Sequence, residues 1–292
     1  MKGSPSIAHV SASVSPPLPR WEARRLYSWL VVAGIMGLII WSSIGTGSDF
    51  RIFLHRDAWF QIWTFVGSWS PPDLAGDFVR RSLWSGVETI AMSLTGMVLA
   101  LLIALPLGIA SSRTVISTSP VGESEQPFSL IRFLRTVIYM ASTLCLNLLR
   151  SIPEVFWALI FILAVGLGPF AGVLALGVHT GGVLGKLFSE VFENVDSQPV
   201  EALHATGART SSIVMYGYLP LALPQLISYA LYRWECAIRA AAIIGVVGAG
   251  GIGRDIYVAI SLFHYRQLAT LLLMTLVVVT IVDYLSAWLR PR

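Results

Sequence analysis

The sequence predicts an all-α membrane protein, and two observations carry this prediction. Of the 292 residues, 55% are hydrophobic and only 12% are charged, whereas about a quarter of the residues of a soluble domain are charged. The hydrophobic residues also gather in runs that are separated by short polar breaks. A helical run of about 20 apolar residues matches the thickness of a bilayer. We therefore expect a polytopic protein with about six transmembrane helices.

The apolar runs divide the chain into three predicted parts. Residues 1–25 are rich in Ser and Pro and are predicted to be a disordered cytoplasmic tail. Residues 26–86 hold the first span and an extended loop, whose tryptophans favour a periplasmic or interfacial position. Residues 87–292 hold the remaining spans as one core. The predicted spans cover residues 29–44, 88–110, 136–167, 170–188, 213–247 and 268–289.

The third and fifth runs are too long for one straight span. Pro153 interrupts the third run between Arg150 and Glu154, and the sequence GLGP at 166–169 ends it. We expect a broken helix there, followed by a tight turn. Six spans place both termini on one side of the membrane. Lys and Arg are more numerous on that side, which predicts cytoplasmic termini in the cell inner (plasma) membrane.

The polar segment 189–212 is predicted to form a rigid cytoplasmic knob between the fourth and fifth spans. Residues 199–206 can form a short helix with proline in its first turn. Small side chains at Ala202 and Ala205 leave one face of this helix open to the close approach of another protein. Gly207 can adopt a positive φ and end the helix.

This segment resembles the loop of ABC importer permeases, in which Glu-Ala-Ala is followed by Gly and, further on, by Leu-Pro. The matching residues are Glu201, Ala202, Gly207, Leu219 and Pro220. Two positions depart from the family pattern. Leu203 replaces the second Ala, and Gly217 stands where the family often has Ile. The proline lies within the next span, where it permits a bend.

Further segments resemble the phosphonate branch of these permeases. They are RSIP at 150–153, GLGPFAG at 166–172, GGVLGK at 181–186, YRWE at 232–235 and VGAGGIG at 247–253. The resemblance covers about residues 87–292 and does not extend to the part of the chain before them.

The resemblance implies the type I ABC importer permease fold and a definite set of partners. It makes the chain the non-catalytic permease subunit for phosphonate, or for related phosphite or phosphate anions, with no cofactor. The implied partners are an ABC ATPase dimer, a periplasmic or lipid-anchored phosphonate-binding protein, and a second permease copy that is identical or related. The residues implied in coupling to the ATPase are Glu201, Ala202, Ala205, Gly207, Leu219 and Pro220.

Charged residues fall inside the overlong third and fifth runs, where each costs several kcal/mol unless it is paired or hydrated. They are Arg150, Glu154, Arg233, Glu235 and Arg239. A spacing of four permits the pairs Arg150–Glu154 and Glu235–Arg239 on a helix. One hypothesis is that these residues line the translocation path, because Arg binds phosphoryl oxygens bidentately. The alternative is a salt-bridge network that holds the helices together.

Gly248, Gly250, Gly251 and Gly253 lie in a stretch that fits the dinucleotide-binding pattern G-x-G-x-x-G. That fold requires alternating strands and helices and an acidic residue about 20 positions later. The sequence continues into another membrane span instead. We expect these glycines to form a flexible turn at the periplasmic gate.

Two other function classes fit the sequence less well. A membrane-embedded enzyme needs a cluster of catalytic or metal-binding side chains, but the five His residues are dispersed, and Cys145 and Cys236 lie far apart in apolar segments. A self-sufficient secondary transporter usually shows internal repeats, which we do not find. The scattered basic residues form no patch for nucleic acid. The sequence contains no nucleotide-binding P-loop, so we expect a partner subunit to hydrolyse ATP.

Overall fold

The structure is a computed structural model that describes residues 20–47, 55–117 and 130–290. Within these ranges the chain forms helices joined by turns and contains no strand, as predicted. Residues 1–19 of the predicted disordered tail lie outside the described residues, and its residues 20–25 are helical because α1 begins at Arg20. The helices are α1 (Arg20–Gly45), α2 (Arg56–Gly67), α3 (Gly76–Ala110), α4 (Arg113–Ser117), α5 (Leu130–Ser151), α6 (Glu154–Val165), α7 (Pro169–Glu193), α8 (Ser197–Ala205), α9 (Thr210–Ile213), α10 (Leu219–Ile244), α11 (Gly251–Ser261) and α12 (Tyr265–Leu289).

The prediction of about six membrane spans is confirmed. The helices α1, α3, α7 and α12 are each long and apolar enough to cross a bilayer. Two bent pairs, α5 with α6 and α10 with α11, bring the number to six when each pair is counted as one span. Two π-helical segments, Val214–Tyr218 and Gly245–Ala249, flank α10.

The third apolar run breaks within its length, and the fifth bends where it ends. The axes of α5 and α6 differ by 92°, and Pro153 caps the start of α6, so the predicted break is confirmed. Gly166 and Gly168, with φ of +93° and +138°, turn the chain from α6 into α7. The axes of α10 and α11 differ by 57°. The sequence did not predict α11, because its glycine-rich start is typical of a loop.

The chain divides into two compact units between Phe65 and Val66. The first unit contains α1 and most of α2. The second contains α3 to α12 and therefore all the residues for which a function is predicted.

α7 is central to the second unit, and small residues let its neighbours approach closely. α3 runs alongside α7 in the same direction, since Gly96 lies beside Leu176 and Gly108 lies beside Phe188. α5 packs on another face, where Gly182 meets the α5 backbone. Lipid provides no hydrophobic drive between helices, so such close contacts are a main source of helix association.

Two of the buried clusters position the site. The alanine-rich cluster joins α3, α6, α7 and α10 and ends in the turn after α10. It consists of Met92, Ala158, Ala175, Leu176, Ala237, Ala241, Ile244 and Ala249. A larger cluster runs from Val200 of α8 to Ile252 of α11 and includes Phe188 and Phe192.

We predict that Gly182→Ala destabilises the second unit. A Cβ atom at this position would lie 2.7 Å from Leu149 Cβ and 2.8 Å from the backbone nitrogen of Arg150, so α5 must move away. The expected loss in unfolding free energy is about 1–3 kcal/mol, measured as a lower melting temperature in detergent. Gly76→Ala is the matched control, because nothing lies within 4 Å of a Cβ atom there. Equal melting temperatures for the two variants would contradict the prediction.

Candidate functional site

α8 forms the short helix that was predicted between the fourth and fifth spans. Asp196 caps its start, since a carboxylate oxygen accepts a hydrogen bond from the Gln198 N–H at 3.1 Å. This cap explains why the helix begins at Ser197 rather than at Pro199. Gly207 follows the helix with a φ of +75°, in agreement with the prediction that it ends the helix in this conformation.

α8 exposes one face and packs the other onto the bundle. Glu201, Ala202 and Ala205 are exposed, whereas Val200 is only 5% exposed and belongs to the larger buried cluster. Leu203 is half-buried and packs against the same cluster. The face with small side chains is therefore open to another molecule.

The two departures from the family pattern, Leu203 and Gly217, pack against each other. A Cβ atom at Gly217 would lie 3.2 Å from Leu203 Cδ1 and 3.6 Å from Val200 Cγ2. The absent side chain at position 217 leaves the space that the larger side chain at position 203 occupies. This contact fixes α8 to the π-helical segment before α10.

α10 begins directly after that π-helical segment. The Leu219 N–H donates to Val214 O, which is the five-residue hydrogen bond of a π-helix. Pro220 has no N–H to donate and occupies the first turn of α10. Local π adjustments of this kind accommodate proline in membrane helices. At Pro220, where the sequence analysis allowed a bend, the structure has a widened π-helical turn.

Hydrogen bonds join the end of α3 and the start of α4 to α5 and α7 at the α8 end of the bundle. Ser189 Oγ donates to Ser111 O at 2.9 Å, and the Arg113 N–H donates to a Glu193 carboxylate oxygen at 2.8 Å. Arg113 Nε donates to Tyr139 Oη at 2.8 Å. The hydrogen bond to Tyr139, with a smaller contribution from Glu193, raises the pKa of Arg113. The end of α7 that leads into α8 is therefore held in place by these hydrogen bonds.

Glu235 and Arg239 connect α10 to α12. Glu235 Oε1 accepts hydrogen bonds from Ser286 Oγ at 2.6 Å and from Arg290 Nη2 at 2.7 Å. Arg239 Nη2 lies 3.3 Å from Asp283 Oδ1. The pair Glu235–Arg239 that the spacing permitted is therefore not the one formed, because α12 brings opposite charges to both residues.

Arg150 and Glu154 also have separate partners. Arg150 Nε and Nη2 donate to Asn147 Oδ1 at 3.1 and 3.0 Å. Glu154 Oε2 lies 3.4 Å from His179 Nε2, and His179 Nδ1 lies 2.9 Å from Ile152 O. The expected pair between the two residues is replaced because the 92° bend lies between them. His179 links α7 to the break itself and to the start of α6.

Arg233 differs from the other charged residues of α10. Its Nε is buried and has no hydrogen-bond partner, and no ion pair within the described part of the chain includes its side chain. It lies one helical turn before Ala237, which packs in the alanine-rich cluster. Arg233 therefore lies on the α8 side of that cluster.

The glycine-rich stretch turns the chain at the end of α10 that is remote from α8. Gly248, Gly250 and Gly251 have φ of +111°, +89° and +63°. The Gly168 N–H donates to Gly248 O at 3.1 Å, which connects this turn to the turn before α7. Gly253 packs so closely on the α10 backbone that a Cβ atom has no room. The expected turn is confirmed, and its role as a gate remains a prediction.

Residues 129–292 match the family described as the binding-protein-dependent transport system inner membrane component. The match contains α5 to α12, and with them segment 189–212 and the charged residues of the third and fifth apolar runs. This chain belongs to that family. The permease is thus an inner-membrane component of a binding-protein-dependent transport system, in agreement with the resemblance of segment 189–212.

Similar curated proteins are permeases of named transport systems. The phosphite transport system permease protein of Stutzerimonas stutzeri is 37% identical over 232 residues, which are 80% of this chain and 78% of that protein. A putative cryptic phosphonate transport system permease protein of Escherichia coli (strain K12) is 47% identical over 120 residues. These residues are 41% of this chain and 98% of that protein.

A solved structure shows the same fold. The inward-facing MetNI methionine ABC transporter matches with a TM-score of 0.61 at 21% identity, over 73% of this chain and 96% of that chain. This likeness confirms the predicted fold of an ABC importer permease.

We predict that Gly217→Ile displaces α8, because the added side chain meets Leu203 and Val200. The expected loss in unfolding free energy is about 1–3 kcal/mol, measured by thermal unfolding in detergent. Combining Gly217→Ile with Leu203→Ala should recover most of that loss, since the smaller side chain vacates the space. The single variant Leu203→Ala completes the double-mutant cycle. Additive effects of the two substitutions would show that the residues are not in contact.

Proposed function

We propose that this permease forms the translocation channel of an ATP-driven importer for phosphonate, or for related phosphite or phosphate anions. The observation that carries the proposal is the exposed small-residue face of α8, on a helix that is firmly packed onto the bundle. The cargo class is supported by relatives whose names are phosphite and phosphonate transport system permeases.

The coupling role rests on how α8 is attached. Leu203 packs over Gly217 in the π-helical segment, and this segment continues without a break into Leu219 and Pro220 of α10. A displacement of α8 is therefore passed directly to a membrane-spanning helix. We propose that the partner on the exposed face is an ABC ATPase dimer, which contacts Glu201, Ala202 and Ala205. The permease then needs no P-loop of its own.

The side of the membrane follows from this partner. ATP is cytoplasmic, so α8 and both chain termini lie on the cytoplasmic side in our proposal. The glycine turn between α10 and α11 then faces the periplasm, where a periplasmic or lipid-anchored binding protein delivers the anion. A second permease copy, identical or related, completes the channel.

Arg233 is our candidate for contact with the anion. A charged group at membrane depth is costly unless it is paired or hydrated, and the Nε of Arg233 is buried without a partner. A guanidinium fork matches the oxygens of a phosphoryl group. The other charged residues of the broken spans each have a protein partner, which for Arg150 lies on its own helix and for the other three joins separate segments, so we propose that they are structural. They are Arg150, Glu154, Glu235 and Arg239.

We predict that Gly207→Val uncouples the permease from its ATPase. Gly207 has a φ of +75°, which a β-branched residue adopts only with strain of about 1–3 kcal/mol. Nothing lies within 4 Å of a Cβ atom there, so the bundle itself keeps its packing. The expected result is about tenfold less stimulated ATP hydrolysis, measured in nanodiscs with the ATPase and a phosphonate-loaded binding protein.

Gly47→Val is the matched control for this experiment. Gly47 has a φ of +64° and equally open space around a Cβ atom, but it follows α1. Stimulation should stay at the wild-type level in this control. Equal losses in both variants, or a wild-type permease that does not bind the ATPase, would contradict the coupling proposal.

We predict that Arg233→Gln lowers phosphonate uptake at low substrate concentration by about tenfold or more, because a hydrogen bond to a charged group contributes about 1.5–3 kcal/mol. Its melting temperature should not fall, since no protein partner is lost. Arg239→Gln is the matched variant on the same helix. It removes the contact with Asp283 and should leave the KM for uptake near its wild-type value. Unchanged uptake by Arg233→Gln would remove Arg233 from the path.

A further inference from the structure

A basic groove lies at the end of the bundle that is opposite to α8. α3 runs in the same direction as α7, and α7 leads into α8, so the start of α3 is at the far end. The groove lies between the first turns of α3 and those of α11 and has a volume of about 660 Å³. Arg80, Arg81, Arg254 and Asp255 are its charged residues.

The groove carries an excess of positive charge. Asp255 supplies its negative charge and is already engaged, since it accepts a hydrogen bond from Ser85 Oγ at 2.5 Å and lies 3.4 Å from Arg254 Nε. Arg81 Nε donates to a backbone oxygen, Asp77 O, at 3.3 Å. Within the described part of the chain, Arg80 and Arg81 have no carboxylate partner. Two guanidinium groups therefore face the groove without a counterion from the described residues.

The remaining wall of the groove is apolar and continues into an exposed apolar strip along α3, of the kind that faces lipid. Leu83, Trp84 and Val87 line it and are 52%, 73% and 52% exposed. Further along the same face of α3, Leu94 and Val98 are 50% and 52% exposed. A tryptophan between arginines and an apolar strip is the arrangement found at a membrane interface.

We propose that this groove binds one anionic phospholipid. Its phosphate lies between Arg80, Arg81 and Arg254, and an acyl chain follows the strip of Leu83, Val87, Leu94 and Val98. A free oxyanion could bind the arginines as a lipid phosphate does, but it has no acyl chain to cover the apolar strip. Basic pockets between membrane helices on the matrix or cytoplasmic side bind anionic lipid headgroups, and this groove offers the same combination at the end opposite to α8.

The lipid site lies next to the glycine turn. Thr89 Oγ1 accepts a hydrogen bond from the Ile252 N–H at 2.9 Å, one helical turn along α3 from Ser85. A lipid that bridges α3 and α11 therefore stabilises the start of α11. The lipid proposal does not depend on the cargo or the ATPase.

The test places the full-length permease in phosphatidylcholine vesicles that contain a small fraction of brominated lipid. Bromine quenches nearby tryptophan, and the signal of Trp84 is the difference between the wild type and Trp84→Phe. We expect brominated phosphatidylglycerol to quench Trp84 at several-fold lower mole fraction than brominated phosphatidylcholine. Native mass spectrometry of the purified permease should show one retained phosphatidylglycerol.

Substitutions distinguish lipid binding in the groove from a general attraction of anionic lipid to positive surface charge. Arg80→Gln with Arg81→Gln should weaken the preference for phosphatidylglycerol about fivefold for each arginine removed. Both side chains are exposed, so the fold should tolerate the change. The control, Arg132→Gln with Arg209→Gln, removes the same charge from exposed positions outside the groove and should leave the preference unchanged.

Two results would overturn the proposal. One is equal quenching of Trp84 by both brominated lipids in the wild type. The other is a change in Trp84 fluorescence that saturates with free methylphosphonate, combined with no preference of the groove for phosphatidylglycerol over phosphatidylcholine. This result would assign the groove to a soluble anion. Normal phosphonate uptake in either case leaves the importer proposal intact, so the two proposals fail separately.

Discussion

Close packing of α7 against α3 and α5 is the constraint on which the rest of this permease depends. Apolar side chains gain little by leaving lipid for another helix, so association relies on tight contact between backbones. Gly182 brings the α5 backbone onto α7, and Gly108 lets α3 approach it near the α8 end. Because α7 leads into α8 and α5 ends at the 92° break, this packing sets the positions of α8 and of the charged residues at the break.

Polar interactions then fix the broken spans. His179 connects α7 to the break between α5 and α6 through Ile152 and Glu154. Glu235 and Arg239 hold α12 against α10. Each of these interactions joins segments that apolar packing alone leaves free to slide, since apolar contacts have little directionality. Arg233 lies among these residues without such a partner, which is why we assign it to the path.

α10 links the two ends of the proposed transport cycle. It has a π-helical segment at each end, one beside α8 and one leading into the glycine turn. Such widened turns often mark functional sites in helices. In our proposal, the helix between them carries a displacement from the ATPase side to the gate. The Leu203–Gly217 contact and the Gly168–Gly248 hydrogen bond anchor the two ends.

The sequence by itself determined the local features: the apolar runs, the break at Pro153, and the positive φ at Gly207. Each depends on backbone chemistry within a few neighbouring residues, so spacing and residue type were enough to predict it. The partners of the charged residues were decided by tertiary structure. Glu235 binds Arg290, because packing brings Arg290 from a distant part of the chain next to it. The spacing of residues along one helix does not determine its register against another helix, so this partner could not be predicted from the sequence.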